Sequence, residues 1–371
     1  MKLSLPIFAL LLNAVAGQQL AFPGAEGLGR YAKGGRTGSV YKVTNLNDSG
    51  TGSLRDAVSQ SNRIVVFTVG GVINISSRIV VKSGVYIAGQ TAPGGPELTN
   101  SQGITVYGDG WSWSDANDSI VRYIRIRMGK GGTSGKDAIT IASGARMIFD
   151  HVSVSWGRDE TFSISGDAED VTVQNSIIAQ GLETHSCGGL MQTDGGISLF
   201  RNLYIDNKTR NPKVKGVNDF QNNDNFYDSN RNGALDGSAL CEKDTCYSSI
   251  DFQASPYNYA APSKLYTATE AVPVVLNSAG ATFPSRDAVD AALVDQVRSY
   301  GTKGALISDE ASVGGPGTIS GGTSPTDTDG DGIPDAWESA NGLNPNDKSD
   351  GMAIASNGYT NLENYVNSLV S

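Results

Sequence analysis

A short run of cations follows the strand-rich part of the sequence. Residues 210–215 read Arg-Asn-Pro-Lys-Val-Lys, so Arg210, Lys213 and Lys215 place three positive charges within six residues of a chain whose net charge is −10. Such a run creates a local anion-binding surface even on an acidic protein. We treat it as a candidate site for an anionic ligand; a solvated basic turn is the alternative.

Acidic residues that can bind a metal precede this run: Asp137, Asp150, Asp159, Glu160 and Glu183. If successive turns of the chain stack, Asp137 and Asp159 reach the same face as Arg210. Carboxylates on adjacent turns can hold Ca²⁺ with open coordination positions, which the carboxylate of an acidic polysaccharide can fill. Asp150 lies among apolar residues, which predicts a buried structural role.

A second acidic motif lies near the carboxyl end. Residues 327–338 match the 12-residue calcium loop of an EF-hand, in which oxygen ligands recur at set positions. Those positions carry Asp327, Asp329, Asp331, the Ile333 carbonyl, Asp335 and Glu338. We expect a structural or docking Ca²⁺ site; an acidic loop without metal is the alternative.

The elements that position these residues are short apolar stretches between about residues 21 and 230. Each has three to six residues, is rich in β-branched side chains and is bounded by Gly, Asn, Asp or Ser, as strands are. Polar turn residues recur about every 21 to 27 residues, at 149–151, 174–175, 201–202 and 221–223. This spacing favours an all-β parallel β-helix over a sandwich. We expect the polar side chains to form a ladder at equivalent turns.

Helices and a linker complete the predicted organisation. Residues 53–58 predict a helix that covers the open first turn, and residues 286–300 predict an amphipathic helix. Residues 232–285 have four prolines and predict loops. The Gly/Ser/Pro-rich residues 313–326 predict a linker between the main domain, residues 18–312, and a tail at 327–371.

The amino-terminal residues indicate export. Residues 1–17 combine Lys2, an apolar run too short to span a bilayer and small residues near Gly17, which predicts a secretory signal peptide. An extracellular location permits a Cys241–Cys246 disulfide and leaves Cys187 as a buried thiol. Four Asn-X-Ser/Thr sites predict glycosylation at Asn47, Asn74, Asn117 and Asn207.

Charge and composition exclude other classes of protein. A net charge of −10 argues against a general nucleic-acid binder, whose phosphate contacts need a basic face. Two histidines are too few for a histidine-rich metal site. We expect neither nucleic acid nor a membrane as a partner, and we expect a monomer.

Residues 22 to about 310 resemble the pectate lyase superfamily, polysaccharide lyase family one. The resemblance rests on residues 22–27, 137–139, 149–151, 171–175 and 210–215, whose order is specific when they are taken together. It implies a right-handed parallel β-helix and calcium-dependent β-elimination of polygalacturonate. Residues 156–160 and the calcium-loop tail resemble secreted microbial members, including fungal ones.

The resemblance also implies roles for individual residues. Arg210 occupies the place of the catalytic base, and Lys215 stands where the family usually has a second, substrate-binding Arg. Lys213 is a further substrate-binding candidate. Asp137, Asp159 and Glu160 correspond to the ligands of a Ca²⁺ in the groove. The family often has Asp where this chain has Gly135 and Ser163, so the affinity of the groove for calcium is open.

The implied chemistry is removal of the proton on C5 of a uronate, followed by cleavage of the C4–O bond. Ca²⁺ and Lys215 would neutralise the neighbouring carboxylate and stabilise the charge that develops. Arg210 would take the proton. Arginine side chains are protonated at neutral pH, so this role predicts an alkaline optimum.

Four alternatives stay open at this point. Arg158 suggests the calcium-independent pectin lyase variant, in which an Arg replaces calcium. The substrate can be another uronate polymer, or the protein can bind polysaccharide without cleaving it. A glycoside hydrolase, the fourth alternative, needs two cooperating carboxylates. Asp159 and Glu160 are neighbours and would face opposite sides of a strand, so they could not easily form such a pair.

Overall fold

The computed structural model of the protein describes residues 18–94, 101–215, 226–228, 230–239, 255, 258–259 and 261–371. The predicted signal peptide and the predicted Cys241–Cys246 disulfide lie outside the described residues. None of the helices described is both long and apolar enough to cross a bilayer.

Short strands dominate the chain up to residue 239. They are β1 (Ser39–Val43), β2 (Arg63–Phe67), β3 (Gly71–Asn74), β4 (Ile79–Val80), β5 (Val85–Ala88), β6 (Ile104–Tyr107), β7 (Trp111–Ser112), β8 (Ser119–Arg122), β9 (Arg125–Arg127), β10 (Ile139–Asp150), β11 (Ser153–Ser155), β12 (Phe162–Gln174), β13 (Ile177–Ala179), β14 (Leu190–Gln192), β15 (Gly195–Phe200), β16 (Leu203–Ile205), β17 (Lys213–Val214), β18 (Phe226–Tyr227) and β19 (Ser238–Ala239). The helices are α1 (Leu54–Val58), α2 (Ala268–Ser278), α3 (Ala288–Arg298), α4 (Asp335–Asn341) and α5 (Asn361–Ser368). Single 3₁₀ turns lie at Leu28–Tyr31, Gly89–Thr91 and Glu310–Val313.

Strands β1 to β17 wind as a parallel solenoid of about seven turns with three faces. The first face stacks β1, β2, β5, β8, the second halves of β10 and β12, and β15. The second stacks β3, β6, β9, β11, β13 and β16. The third stacks β4, β7, the first halves of β10 and β12, β14 and β17. The predicted parallel β-solenoid is confirmed, while its right-handed sense stays a prediction.

Aromatic side chains fill the interior along the solenoid axis. Trp111 stacks on Trp113 with ring centres 5.0 Å apart, and Phe149 lies edge-on to both Trp113 and Phe162 at 5.1 Å. All four side chains are buried. Burial of this apolar area supplies the main force that holds the turns together.

The predicted polar ladder lies between the first and second faces. The Asp150 carboxylate accepts hydrogen bonds from the Gln174 and Asn175 side-chain amides, both at 2.9 Å. The side-chain oxygen Oδ1 of Asn175 in turn accepts from Arg201 Nε at 2.8 Å. Asp150 also pairs with Arg122 at 2.9 Å, so its predicted buried structural role is confirmed.

The predicted helices are present with bounds within two residues. Ser53 caps α1, which packs against β1 and β2. The predicted helix at 286–300 is α3. In the segment predicted as loops, α2 forms behind a capping box of Thr267 and Glu270. The prolines argued against a helix in the sequence, yet Pro273 lies inside α2 as its sixth residue, where it removes one backbone hydrogen bond without ending the helix.

The Gly/Ser/Pro segment predicted as a linker is hydrogen-bonded to the solenoid. Ser320 N donates to the Ser101 carbonyl at 2.7 Å, and Gly322 N donates to the Pro93 carbonyl at 3.0 Å. The Ile319 side chain is buried. These contacts position the tail beside the solenoid.

The four predicted glycosylation sites differ in exposure. Asn47 and Asn74 are exposed and Asn117 is partly exposed. Asn207 is buried, and its Nδ2 donates to the Ile178 carbonyl and to Asn211 Oδ1, both at 3.0 Å. A glycan on this nitrogen would break both bonds, which argues against modification of Asn207.

Candidate active site on the third face

Four successive turns bring the predicted site residues together. Cys187 forms parallel bridges with Glu160 on one side and with Thr209 on the other. On the preceding turn, Asp137 Oδ1 accepts a hydrogen bond from Glu160 N at 3.2 Å. Asp137, Glu160 and Arg210 therefore lie along one line parallel to the solenoid axis, at the edge of the third face.

Asp137 lies partly buried in this line. Its Oδ2 accepts from the Thr140 hydroxyl at 2.9 Å. The pKa of Asp137 is raised, mainly because burial disfavours the charged form, and the neighbouring Asp159 carboxylate adds to the shift. The Asp137 site therefore favours a cation that offsets the two negative charges.

Asp159 and Glu160 point into the same cluster, so the expectation that they face opposite sides is wrong. One carboxylate oxygen of each lies within 4.8 Å of the other and of Cys187 Sγ. The reason is local, since the two residues precede β12 and strand alternation does not apply to them. Glu160 forms an ion pair with Arg210. An ion-paired carboxylate lacks the proton that the general acid of a hydrolase needs.

The backbone beneath Arg210 is tightly packed. Arg210 has φ 57°, in the left-handed region, and its carbonyl accepts from Gly189 N at 2.7 Å. A Cβ on Gly188 would lie 2.4 Å from that carbonyl oxygen. Position 188 therefore requires glycine, because any side chain there would prevent the turn that carries Arg210 from packing against the turn that carries Gly188. The other two cations of the run, Lys213 and Lys215, are exposed beside it.

Three residues near the cluster carried no strong sequence signal. His185 Nδ1 lies 2.9 Å from Asp159 Oδ1. Burial, with the charges of Asp159 and Asp137, raises the pKa of Cys187 and keeps it a neutral thiol, as the prediction of an inert thiol requires. Arg78 is close enough to Asp137 for their charges to interact, although 59 residues separate them in the sequence. Only the stacking of turns brings such distant residues together.

Arg158 does not occupy the cluster. Its Nη1 donates to the Gly132 carbonyl at 2.6 Å, so the guanidinium is held by the loop at residues 129–136. The carboxylates of Asp137, Asp159 and Glu160 are hard oxygen donors with the character that Ca²⁺ prefers. This donor set fits a calcium ion.

The tail carries a second cluster of carboxylates. Oxygens of Asp327, Asp329 and Asp331 lie within 4.8 Å of one another, and so do those of Asp331, Glu338 and Asp350. Five carboxylate oxygens, from Asp329, Asp331, Glu338 (two) and Asp350, are buried without a hydrogen-bond partner. Burial and the neighbouring acids raise the pKa of Asp331 to about 6 and that of Glu338 to about 7. Such a cluster fits a bound cation.

Two ligand assignments in the tail differ from the sequence motif. Asp335 accepts from Thr328 N and Thr328 Oγ1, at 2.7 and 2.6 Å, and is absent from both groups of converging carboxylates in the described part of the chain. Asp350, outside the 12-residue motif, joins the cluster instead. The Ile333 side chain is buried, and its carbonyl stays a predicted ligand.

The tail packs against the outside of the first face. Ile333, Leu362 and Val366 are buried in one cluster with Ile64 and Val66 of β2. A buried ion pair joins Arg36 to Glu363 at 2.9 Å, and Arg122 donates to Asn367 Oδ1 at 3.1 Å. The tail therefore extends the folded solenoid through a second apolar core.

The whole chain has close relatives. It is 56% identical, in an alignment 424 positions long, to the probable pectate lyase C of Neosartorya fischeri, covering 100% of this chain and 99% of that protein. In an alignment 423 positions long it is 54% identical to the probable pectate lyase C of Aspergillus terreus, with the same coverage. Probable pectate lyase 5 of Arabidopsis thaliana is 27% identical over 168 residues, which cover 42% of this chain and 41% of that protein.

Two other comparisons add less. No protein-family model matches the chain. A pectate lyase solved in a study of substrate specificity and anti β-elimination has 16% identity and a TM-score of 0.38, over 54% of this chain and 71% of that chain. At this score the fold assignment rests on the strand pairing described above. The full-length identity to the fungal proteins is sufficient for assignment: the chain belongs to the pectate lyase C family.

Proposed function

We propose that the protein is a secreted pectate lyase that cleaves polygalacturonate by calcium-assisted β-elimination on the third face. One observation carries the proposal, in a member of the pectate lyase C family: the Asp159 and Glu160 carboxylates converge, Asp137 on the adjacent turn accepts from Glu160 N, and Glu160 pairs with Arg210. A calcium-independent pectin lyase, another uronate polymer and binding without cleavage are the competing functions.

Asp137, Asp159 and Glu160 are the residues that would hold Ca²⁺. The bound ion would neutralise the carboxylate of the uronate and make the proton on C5 more acidic. Cys187 lies in the same cluster but offers a soft, neutral sulfur, so we assign it no ligand role.

Arg210 takes the proton from C5 in this proposal. The electron pair of the C–H bond forms the C4–C5 double bond, and the C4–O bond breaks with its electrons on the departing oxygen. Arg210 must first leave Glu160, its partner in the substrate-free protein. Lys213 and Lys215 bind carboxylates of the polymer; lysine keeps the charge of the family's arginine but lacks its two-pronged geometry.

The tail is proposed to hold a second, structural Ca²⁺. Its ligands would be Asp327, Asp329, Asp331, Glu338 and Asp350, since these carboxylates converge. Asp335 has its hydrogen bonds with Thr328 and would act on the ion only indirectly. Secretion, the right-handed sense of the solenoid, the monomeric state and glycosylation at Asn47, Asn74 and Asn117 belong to the same proposal.

Ultraviolet absorbance on polygalacturonate tests the function, because β-elimination creates an absorbing double bond. We expect a rise with Ca²⁺ that EDTA abolishes, and no rise with Arg210→Ala. Arg146→Ala is the matched control, since its ion pair with Asp118 lies outside the site. A rise that EDTA leaves unchanged would favour the pectin lyase variant. New reducing ends without absorbance would contradict elimination.

A further inference from the structure

An open cleft lies on the amino-terminal side of Asp137. It is lined by Arg78, Gly135, Lys136, Asp137 and Thr140. Two of these residues are cations, and neither belongs to the run at residues 210–215. We propose that Arg78 and Lys136 form a second binding subsite, which takes the carboxylate of a uronate remote from the bond that is cleaved. This inference rests on the proposed function and deepens it.

The register of the strands places this cleft in line with the candidate active site. Ile79, next to Arg78, pairs with Trp111, which pairs with Ile139. From β4 through β7, β10, β12 and β14 to β17 there are five steps between strands. At about 4.8 Å per step the third face is roughly 24 Å long between Arg78 and Arg210. Cations thus stand at both ends of the face, and the carboxylates stand between them.

The residues that line the cleft carry two positive charges, of Arg78 and Lys136, and one negative charge, of Asp137. Arg78 Nη2 donates to the Trp111 carbonyl at 3.0 Å, which fixes the guanidinium at the cleft. Asp109, the other acid that attracts Arg78, accepts from Gly110 N at 2.6 Å and from the Thr133 hydroxyl at 2.9 Å. Lys136 is exposed, and its carbonyl accepts from Arg158 N at 3.1 Å.

The ligand chemistry follows from this arrangement. A polyuronate carries one carboxylate on every sugar, so a chain laid along the axis offers anions at regular intervals. Guanidinium groups bind carboxylates through paired, charge-assisted hydrogen bonds. A polymer bound at Asp137 and Arg210 that continues toward β4 brings a further carboxylate to Arg78 and Lys136. A short oligomer that ends before β4 does not reach them.

The opposing explanation is that Arg78 only balances the charge of Asp137. The two explanations differ in their dependence on chain length and in the role of Lys136. A counter-ion to Asp137 alters all substrates equally, because every substrate uses the groove cation. A subsite matters more as the chain becomes long enough to fill it.

The test compares octagalacturonate with trigalacturonate as substrates of Arg78→Gln and Lys136→Ala. We expect Arg78→Gln to raise KM for the octamer about tenfold, and the exposed Lys136→Ala to raise it about threefold. Both factors should be clearly smaller for the trimer. Lys303→Ala is the control, since its partner Asp295 and the lysine itself are exposed in the α3 region.

Calorimetric binding of octagalacturonate to Arg210→Ala, with and without each substitution, measures the subsite without turnover. Weaker binding in both double variants supports the inference. Equal losses for trimer and octamer, or an unchanged affinity with Lys136→Ala, would overturn it. If the unmodified protein cleaves neither oligomer, the proposed function fails instead, and the binding measurement still decides on the subsite.

Discussion

Replacement of Glu338 by Gln is predicted to remove most of the stability that the protein gains from Ca²⁺. Glu338 supplies two of the five buried carboxylate oxygens that lack a hydrogen-bond partner. A ligand present at 100 times its Kd stabilises the folded state by about 2.7 kcal/mol. For a chain of this length that corresponds to a rise in Tm of about 4 °C.

The physical reason is the contact between the tail and the first face. Without a cation, Asp331 and Glu338 repel each other in a buried site, and the helix that carries Glu338, α4, loses its anchor. Leu362 and Val366 of α5 then hold the tail on the first face together with the Arg36–Glu363 pair and the hydrogen bond from Arg122 to Asn367. Part of the apolar area on β2 becomes exposed, which lowers the free energy of unfolding.

Thermal unfolding followed by circular dichroism, with Ca²⁺ and with EDTA, measures the effect. Asp347→Asn is the matched control, because Asp347 is an exposed acid of the same tail that accepts from Ser349. We expect the control to keep the full calcium response. If Glu338→Gln shows the same rise in Tm with Ca²⁺ as the unmodified protein, the assignment of the tail site is refuted.

Three further predictions concern the groove, the second face and pH. Asp137→Asn should raise the Ca²⁺ concentration for half-maximal lyase rate at least tenfold, because a charged oxygen donor is lost; an unchanged calcium titration would exclude Asp137 as a ligand. Asp287→Asn should lower the free energy of unfolding by about 3 to 5 kcal/mol in urea, because Arg127 and Arg125 then stay buried without this partner. The exposed Asp295→Asn should cost under about 1 kcal/mol, and equal losses would refute the reasoning. Burial raises the pKa of Asp206 to about 6, above its ordinary value of 3.8. The folded state therefore keeps a proton that the unfolded chain releases, and the stability from this group is present below about pH 4 and lost as the pH rises through 6. Asp206→Asn should remove about 2 kcal/mol of that pH dependence, and an identical pH–stability curve for the variant would contradict it.

Features that depend on local patterns could be predicted from the amino-acid sequence. Short β-branched stretches with polar turns at near-equal spacing predict a parallel solenoid, because each turn must repeat the one before it. The ladder at Asp150, Asn175 and Arg201 follows from the same repetition. The helices α1 and α3, the cation run and the acidic motif of the tail could be predicted for the same reason, since each depends on residues that are neighbours in the sequence.

Contacts between residues distant in the sequence became visible only in the folded structure. Glu160 and Arg210 are 50 residues apart in the sequence, and their ion pair forms only because the turns that carry them stack along the same edge of the third face. Asp350, which lies outside the 12-residue motif, belongs to the carboxylate cluster of the tail. Asp335, which lies inside the motif, is hydrogen-bonded to Thr328 instead. Arg78 reaches Asp137 across two strand steps. Local sequence cannot specify such pairs. The side chains that come into contact depend on the register in which the turns stack, and the packing of the whole core sets that register.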